Sequence, residues 1–329
     1  MMPFWIGLAV SSALAYPIYL MLLRLNSRQN VSEFAPETHQ AKQGTPTMGG
    51  LIFVIPFVLL APLIPRGDEY VTSSRSLLST WAVSPPITIT VLVLLFASIG
   101  LIDDFVVPRM APGKRGLGWK QKLGMQFLAA LAFGLMRSDG GWQLVFDVLV
   151  ILACSNAYNF ADGLDGLAAS IGLLLIPGLI ALTFASGQAA MATGQVVIIP
   201  LLMLVAGAML PFAFLNAPKA KVFMGDVGSL PLGALVGAAV AIPIHPLPDW
   251  KVLIGANVLV LILAIELIPV PLQILWVKVL RRRLFPFTPI HHAFEKAGWQ
   301  ETRVVAMFAL GQLLCTLGAV NIFDYVRTR

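Results

Sequence analysis

Runs of apolar residues long enough to cross a lipid bilayer recur along this chain, and no other feature limits its fold so tightly. A helix needs roughly 20 apolar residues, within a range of about 17–25, to traverse the hydrocarbon core. Ten apolar runs read as candidate spans, near 4–23, 48–65, 82–102, 123–136, 142–158, 166–185, 195–215, 229–244, 252–276 and 304–323. Only 12% of the 329 residues are charged, against about a quarter in soluble domains, and the mean hydropathy is +0.84. The expected fold is therefore an all-α integral membrane protein of about ten transmembrane helices. The fourth run is short enough for a re-entrant segment, and the second and eighth are short and carry prolines. No basic residue precedes the first run and no small-residue cleavage pattern closes it, so it reads as a retained span rather than a cleaved signal.

A net charge of +6 would suit nucleic acid, but the placement of that charge argues against such a partner. With ten spans, the loops after odd-numbered ones hold 16 of the 22 Lys and Arg, and 6 lie elsewhere. Positive residues concentrate in cytoplasmic loops, so both termini are expected outside. Were the fourth run not to cross, the split would become 12 to 10 and the bias would vanish; it is read as a crossing. One polytopic membrane domain over 1–329 is expected, with cytoplasmic loops at 24–47, 103–122, 159–165, 216–228 and 277–303. Cys154 and Cys315 fall in separate spans with no metal or redox spacing, and read as packing residues.

The polar clusters all fall on the positively charged side of this map. Asp103-Asp104 closes the third run. Adjacent carboxylates raise each other's pKa unless a cation sits nearby, and such acids hold Mg²⁺ in phosphoryl chemistry; a solvated helix end would explain the pair equally well on its own. Asn156, Asn159, Asp162 and Asp165 recur every three residues. Positions three apart are neighbours on a helix, so the four are expected to form one polar stripe. Phe223-Met-Gly225-Asp226-Val-Gly228-Ser229 reads as a Gly-rich turn entering a helix, whose N–H groups suit phosphate oxygens with a metal ligand, Asp226, beside them. His291-His292 with Glu295 lacks zinc spacing and suits contacts to phosphate or sugar. Lys42 to Gly50 (Lys-Gln-Gly-Thr-Pro-Thr-Met-Gly-Gly) leads into the second run, with Lys42 available to a phosphate. Glu266 lies inside the ninth run ahead of Pro269 and Pro271, which are expected to bend it. An intramembrane acid is a functional candidate; a structural hydrogen bond near the bend is the favoured role.

These motifs resemble the phospho-N-acetylmuramoyl-pentapeptide transferase family (translocase I of peptidoglycan synthesis), within the polyprenyl-phosphate N-acetylhexosamine-1-phosphate transferases. Its motifs are matched in order at 42–50, 103–104, 156–167, 223–229 and 289–292. Two positions depart: Val107 stands where the family often has Lys, with Lys114 or Lys122 as substitutes, and Ala293 replaces a third histidine.

The resemblance implies transfer of phospho-MurNAc-pentapeptide from UDP-MurNAc-pentapeptide to undecaprenyl phosphate, giving lipid I and UMP at the cytoplasmic face of a bacterial inner (plasma) membrane. It implies Mg²⁺ on Asp226, catalytic roles for Asp103, Asp104, Asp226 and His292, and substrate contacts from Lys42, Thr47, Lys122, Asn156, Asn159, Asp162, Asp165, Phe223, Gly225, Ser229 and His291. Membrane lipid is the implied surrounding, and a homodimer is left open. A polyprenyl-phosphate GlcNAc-1-phosphate transferase is the alternative within enzymes. A secondary transporter is more distant, because it would place polar groups at mid-membrane and show paired repeats, and the sequence has neither.

Overall fold

The computed structural model describes residues 1–25, 44–65, 85–111, 113–114, 116–137, 141–186, 197–244 and 250–328. Among these, regular structure is entirely helical. In chain order the helices are α1 (Met2–Arg24), α2 (Leu51–Leu60, extended by a 3-10 turn at Ala61–Leu63) and α3 (Pro85–Leu101). A π-helical turn (Ile102–Val106) then leads into α4 (Val107–Met110). There follow α5 (Trp119–Arg137), α6 (Trp142–Ala161), α7 (Leu167–Ala185), α8 (Ile198–Asn216) and α9 (Asp226–Ala241). The last are α10 (Trp250–Leu259), α11 (Leu261–Leu267), α12 (Pro269–Leu280), α13 (Ile290–Lys296) and α14 (Glu301–Arg327).

Among the described residues, seven helical stretches are long and apolar enough to cross a membrane: Met2–Arg24, Pro85–Met110, Trp142–Ala161, Leu167–Ala185, Ile198–Asn216, Leu261–Leu280 and Glu301–Arg327. Leu51–Leu63, Asp226–Ala241 and Trp250–Leu259 are shorter apolar helices. Such a set is consistent with an integral membrane protein. The fourth apolar run lies within α5, which is longer than the run itself but is not among the seven.

In lipid, helices gain little from hiding apolar surface and associate through close packing of small residues. The centre of the molecule follows that rule. Every residue of α9 from Val227 to Ala241 is buried, and most are Gly, Ala, Val or Leu. This helix packs between α3 and α6; α1 packs on α8, and α14 on α7 and α10. Side-chain hydrogen bonds to backbone carbonyls reinforce the crossings. The Ser11 hydroxyl sits between the carbonyls of Ile52 (2.9 Å) and Ala208 (2.7 Å).

The ninth run has one backbone break. At Ile268 the dihedrals stay helical (φ −62°, ψ −41°), so α11 runs on into α12 and Pro269 interrupts only the hydrogen-bond ladder. The break at Val260 (φ −94°, ψ 11°) has no proline to announce it. Its preceding carbonyl, Leu259 O, accepts the Gln312 amide at 3.0 Å, a tertiary contact from α14.

At the far end of α5 the Arg137 guanidinium clamps Asp147 of α6 with two bonds, of 2.8 and 2.5 Å. Asp147 is fully buried and Arg137 is 18% exposed. Removing one member of a buried pair leaves the other charge uncompensated, at a cost of roughly 3–5 kcal/mol. Asp147→Asn should therefore destabilise the protein by about 3 kcal/mol, the low end because Arg137 keeps some exposure. Thermal unfolding in detergent reads this directly, and an unchanged midpoint would show that the clamp contributes nothing.

Candidate active site

Two segments far apart in sequence meet to start α9. The Phe223 N–H donates to Pro46 O (2.9 Å), while Gly49 and Gly50 donate to Phe223 O (2.7 Å) and Met224 O (2.9 Å). Thr47 and Phe223, both half-buried, therefore share one wall. Gly225 follows with φ 71° and ψ 172°, a conformation essentially restricted to glycine. A Cβ there would lie 2.6 Å from Asp104 Oδ2 and 2.8 Å from Thr47 Oγ1.

Asp226 opens α9, and the acids collect around it. Asp103, Asp104 and Asp226 each offer a carboxylate oxygen, and the three atoms lie within 4.8 Å of one another. Successive side chains on an α-helix point in different directions. Here Asp103 and Asp104 sit in the wider π turn, which serves both toward α9. Lys122, from the first turn of α5, pairs with Asp226 and lies 3.3 Å from Asp103 Oδ2. The Leu117 N–H also donates to Asp103 Oδ1, at 2.5 Å. The Asn159 amide donates to Asp226 Oδ1 (2.7 Å) and to Ser229 Oγ (2.9 Å).

Backbone N–H groups at the start of α9 are taken by carboxylates rather than left for a phosphate. Val227 N–H donates to Asp104 Oδ2 at 3.2 Å, and the Gly225 N–H faces the Asp162 carboxylate. A helix N-terminus favours negative charge, so this end stabilises the cluster it faces. Asp162 sits just past the end of α6. Burial pushes its carboxyl well above the usual range, the charges of Asp226 and Asp104 push the same way, and the Gly225 N–H opposes them.

The expected four-residue stripe is only half a stripe. Asn156 and Asn159 share a face of α6, but the helix ends at Ala161 and Asp162 leaves helical geometry (φ −84°, ψ 47°). Asp165 then turns away into a bracing role. It is buried, its N–H donates to Glu301 Oε1 (2.7 Å), and its Oδ2 accepts the Ala220 N–H (3.0 Å). Two glycines within four residues stop the helix before its periodicity can carry Asp162 and Asp165 onto the same face.

One turn below Asn159, the Asn156 amide donates to Gln126 Oε1 at 2.7 Å. Gln126 is fully buried, four residues after Lys122 on α5. It lies in an apolar run outside every motif, and nothing in the sequence singles it out. Of the two histidines, His292 is half-exposed with Nδ1 2.6 Å from Glu295 Oε2, whereas His291 is fully buried against Glu266. The intramembrane acid therefore has the hydrogen-bonding role favoured for it. Lys114 is exposed, so it is Lys122 that brings charge to the acids. Lys42 lies outside the described residues.

Against known proteins, the model of glycosyl transferase family 4 matches residues 86–244, which contain all three clustered acids. The phospho-N-acetylmuramoyl-pentapeptide-transferase signature 1 matches 42–54, the segment hydrogen-bonded to the Gly225 turn. The phospho-N-acetylmuramoyl-pentapeptide-transferase of Acetivibrio thermocellus is 37% identical, over 96% of this chain and 93% of the relative. That of Moorella thermoacetica is 34% identical, over 96% of each, and that of Thermotoga maritima 32%, over 94% and 96%. The chain belongs to the phospho-N-acetylmuramoyl-pentapeptide transferase family. In this family member the signature segment and the acid-bearing segment are physically one unit, joined by the backbone bonds at Phe223, Gly49 and Gly50. Gly225→Ala should lower stability by about 1–3 kcal/mol through backbone strain alone, and by more if Asp104 and Thr47 cannot move. Thermal unfolding measures it; an alanine accepted without loss would mean that the turn does not require glycine.

Proposed function

We infer that this chain transfers phospho-MurNAc-pentapeptide from UDP-MurNAc-pentapeptide to undecaprenyl phosphate, releasing UMP and forming lipid I in peptidoglycan synthesis. Family membership supports the reaction. The observation that carries the site is the meeting of Asp103, Asp104 and Asp226 within 4.8 Å, beside the Lys122 ammonium.

The donor set is all carboxylate oxygen, hard ligands that suit Mg²⁺, and the site already draws a cation, Lys122, between two of its acids. The residues therefore fit Mg²⁺, with Asp226 as the principal ligand and Asp103 and Asp104 beside it. When bound, the ion neutralises the diphosphate and the charge that develops on the leaving UMP oxygen.

In the reaction, an oxygen of the lipid phosphate attacks the sugar-bearing phosphorus of the nucleotide. The bond from that phosphorus to UMP breaks, so one pyrophosphate linkage replaces another and no outside energy is needed. The main obstacle is bringing two anions together. Lys122 and His292 supply positive charge, with Lys42 the expected third cation. Asp103 orients or deprotonates the lipid phosphate. The second pKa of a phosphate monoester is about 6, so the dianion is already abundant and orientation is the larger contribution. Asn159, Asp162 and Phe223 hold the uridine side; Thr47, Gly225, Ser229 and Asn156 shape the pocket around it. Asp165 serves the same site by fixing the loop before Phe223.

Ten crossings with both termini outside would put these groups at the cytoplasmic face of the inner membrane, where a soluble nucleotide and a lipid phosphate can both reach them. The positive-inside distribution supports that orientation. Purified protein should release UMP from UDP-MurNAc-pentapeptide and not from UDP-GlcNAc, and only with a divalent cation; turnover of UDP-GlcNAc alone would favour the GlcNAc-1-phosphate alternative. Asp226→Asn should reduce kcat by more than about a hundredfold, because metal charge stabilisation is worth several kcal/mol. Near-normal turnover by this folded variant would remove Asp226 as the metal ligand.

A further inference from the structure

Glu266 and His291 are both fully enclosed and spend most of their polar capacity on each other. Glu266 Oε2 faces His291 Nδ1 at 2.9 Å, and Oε1 accepts the His291 backbone N–H at 3.3 Å. Two contacts from one carboxylate fix the first turn of α13 to α11. The contact at Nδ1 also fixes the orientation of the ring.

The far edge of that ring is unusual. Nε2 is buried and has no hydrogen-bond partner among the described residues. It presses instead on Gly163: a Cβ added there would run into Nε2 and stand 2.8 Å from Cε1. Gly163 is not among the positive-φ residues, so its backbone would accept alanine, and only the imidazole forbids it. Gly163 directly follows Asp162, whose carboxylate faces the Gly225 N–H next to Asp226. A line of contacts therefore runs from Glu266 through His291 and the Asp162–Gly163 turn to the start of α9.

We propose that Glu266 is a positioning residue: through His291 it seats the Asp162–Gly163 turn against the acid cluster, and Gly163 is glycine in order to receive the imidazole edge. The two neighbouring histidines then divide the work. His292, half-exposed beside it with ring centroids 4.1 Å apart, faces substrate, while His291 acts from behind the turn. This assignment rests on the transferase reading above.

The test is a steric rescue, with UMP release measured at a temperature where unfolding scans show every variant folded. Gly163→Ala should lower kcat by on the order of a hundredfold, the usual penalty for displacing a reacting group by about 1 Å. Asparagine at 291 keeps an amide nitrogen near the place of Nδ1 but lacks the far edge of the ring. Gly163→Ala combined with His291→Asn should therefore recover most of the activity lost by Gly163→Ala. Glu266→Gln, which weakens the grip without changing shape, should lower kcat about tenfold under the same folded conditions. A fully active Gly163→Ala, a normal Glu266→Gln, or a double variant no better than Gly163→Ala would each overturn the proposal, the last by showing that Nε2 is used directly. If the wild-type protein itself releases no UMP, the transferase reading fails instead. The proposal would then be judged on unfolding midpoints, where His291→Asn must still relieve the loss caused by Gly163→Ala.

Discussion

Negative charge gathered at the mouth of a buried helix is the constraint around which this protein is built. Carboxylates near membrane depth are costly unless a partner or cation answers them. Asp103, Asp104 and Asp226 come within 4.8 Å of one another, and three local devices make that tolerable. Lys122 stands between Asp103 and Asp226, backbone N–H groups at the start of α9 point at Asp104 and Asp162, and the Asn159 amide covers a remaining oxygen. A divalent ion would complete this balance and would draw a diphosphate to the same spot.

The rest of the fold holds those few atoms still. The small residues of α9 let α3 and α6 close around it, which brings the Asp pair and Asn159 to its first turn from opposite sides. Asp165 and Asn216 spend polar groups on the loop that delivers Phe223 and Gly225, and Glu301 holds the Asp165 N–H in turn. Arg137 and Asp147 tie the other end of the α5–α6 pair, so Lys122 and Asn159 are carried on two helices joined at both ends. Away from the acids, Ser11, Gln312 and Thr316 hydrogen-bond to backbone carbonyls of neighbouring helices, a use of polarity that suits an apolar surrounding.

Legibility varied with the range of the physics involved. Asp103-Asp104, Asp226 and Asn159 could be singled out because charged or amide groups beside apolar runs demand a reason, and they do meet. Gln126 could not, since a lone amide inside an apolar run looks like any packing residue until Asn156 is placed against it. The stripe drawn through Asn156, Asn159, Asp162 and Asp165 failed at its second half because periodicity assumes that a helix continues, and Gly163 and Gly166 end it. The break at Val260 escaped notice for a related reason: its freed carbonyl is satisfied by Gln312, more than fifty positions away.

From the chain alone one can determine what is local or additive: the apolar runs, the sidedness of charge, the helix ends marked by glycine and proline, and the identity of the motifs. Those properties depend on neighbouring residues or on sums over loops. What only the tertiary structure decided is which polar groups share a space. His291 and His292 are adjacent in sequence, yet one is sealed behind a turn and the other half-exposed, because burial depends on what packs from elsewhere: Glu266 from α11 and Gly163 from the end of α6. No pattern within a single segment contains that information.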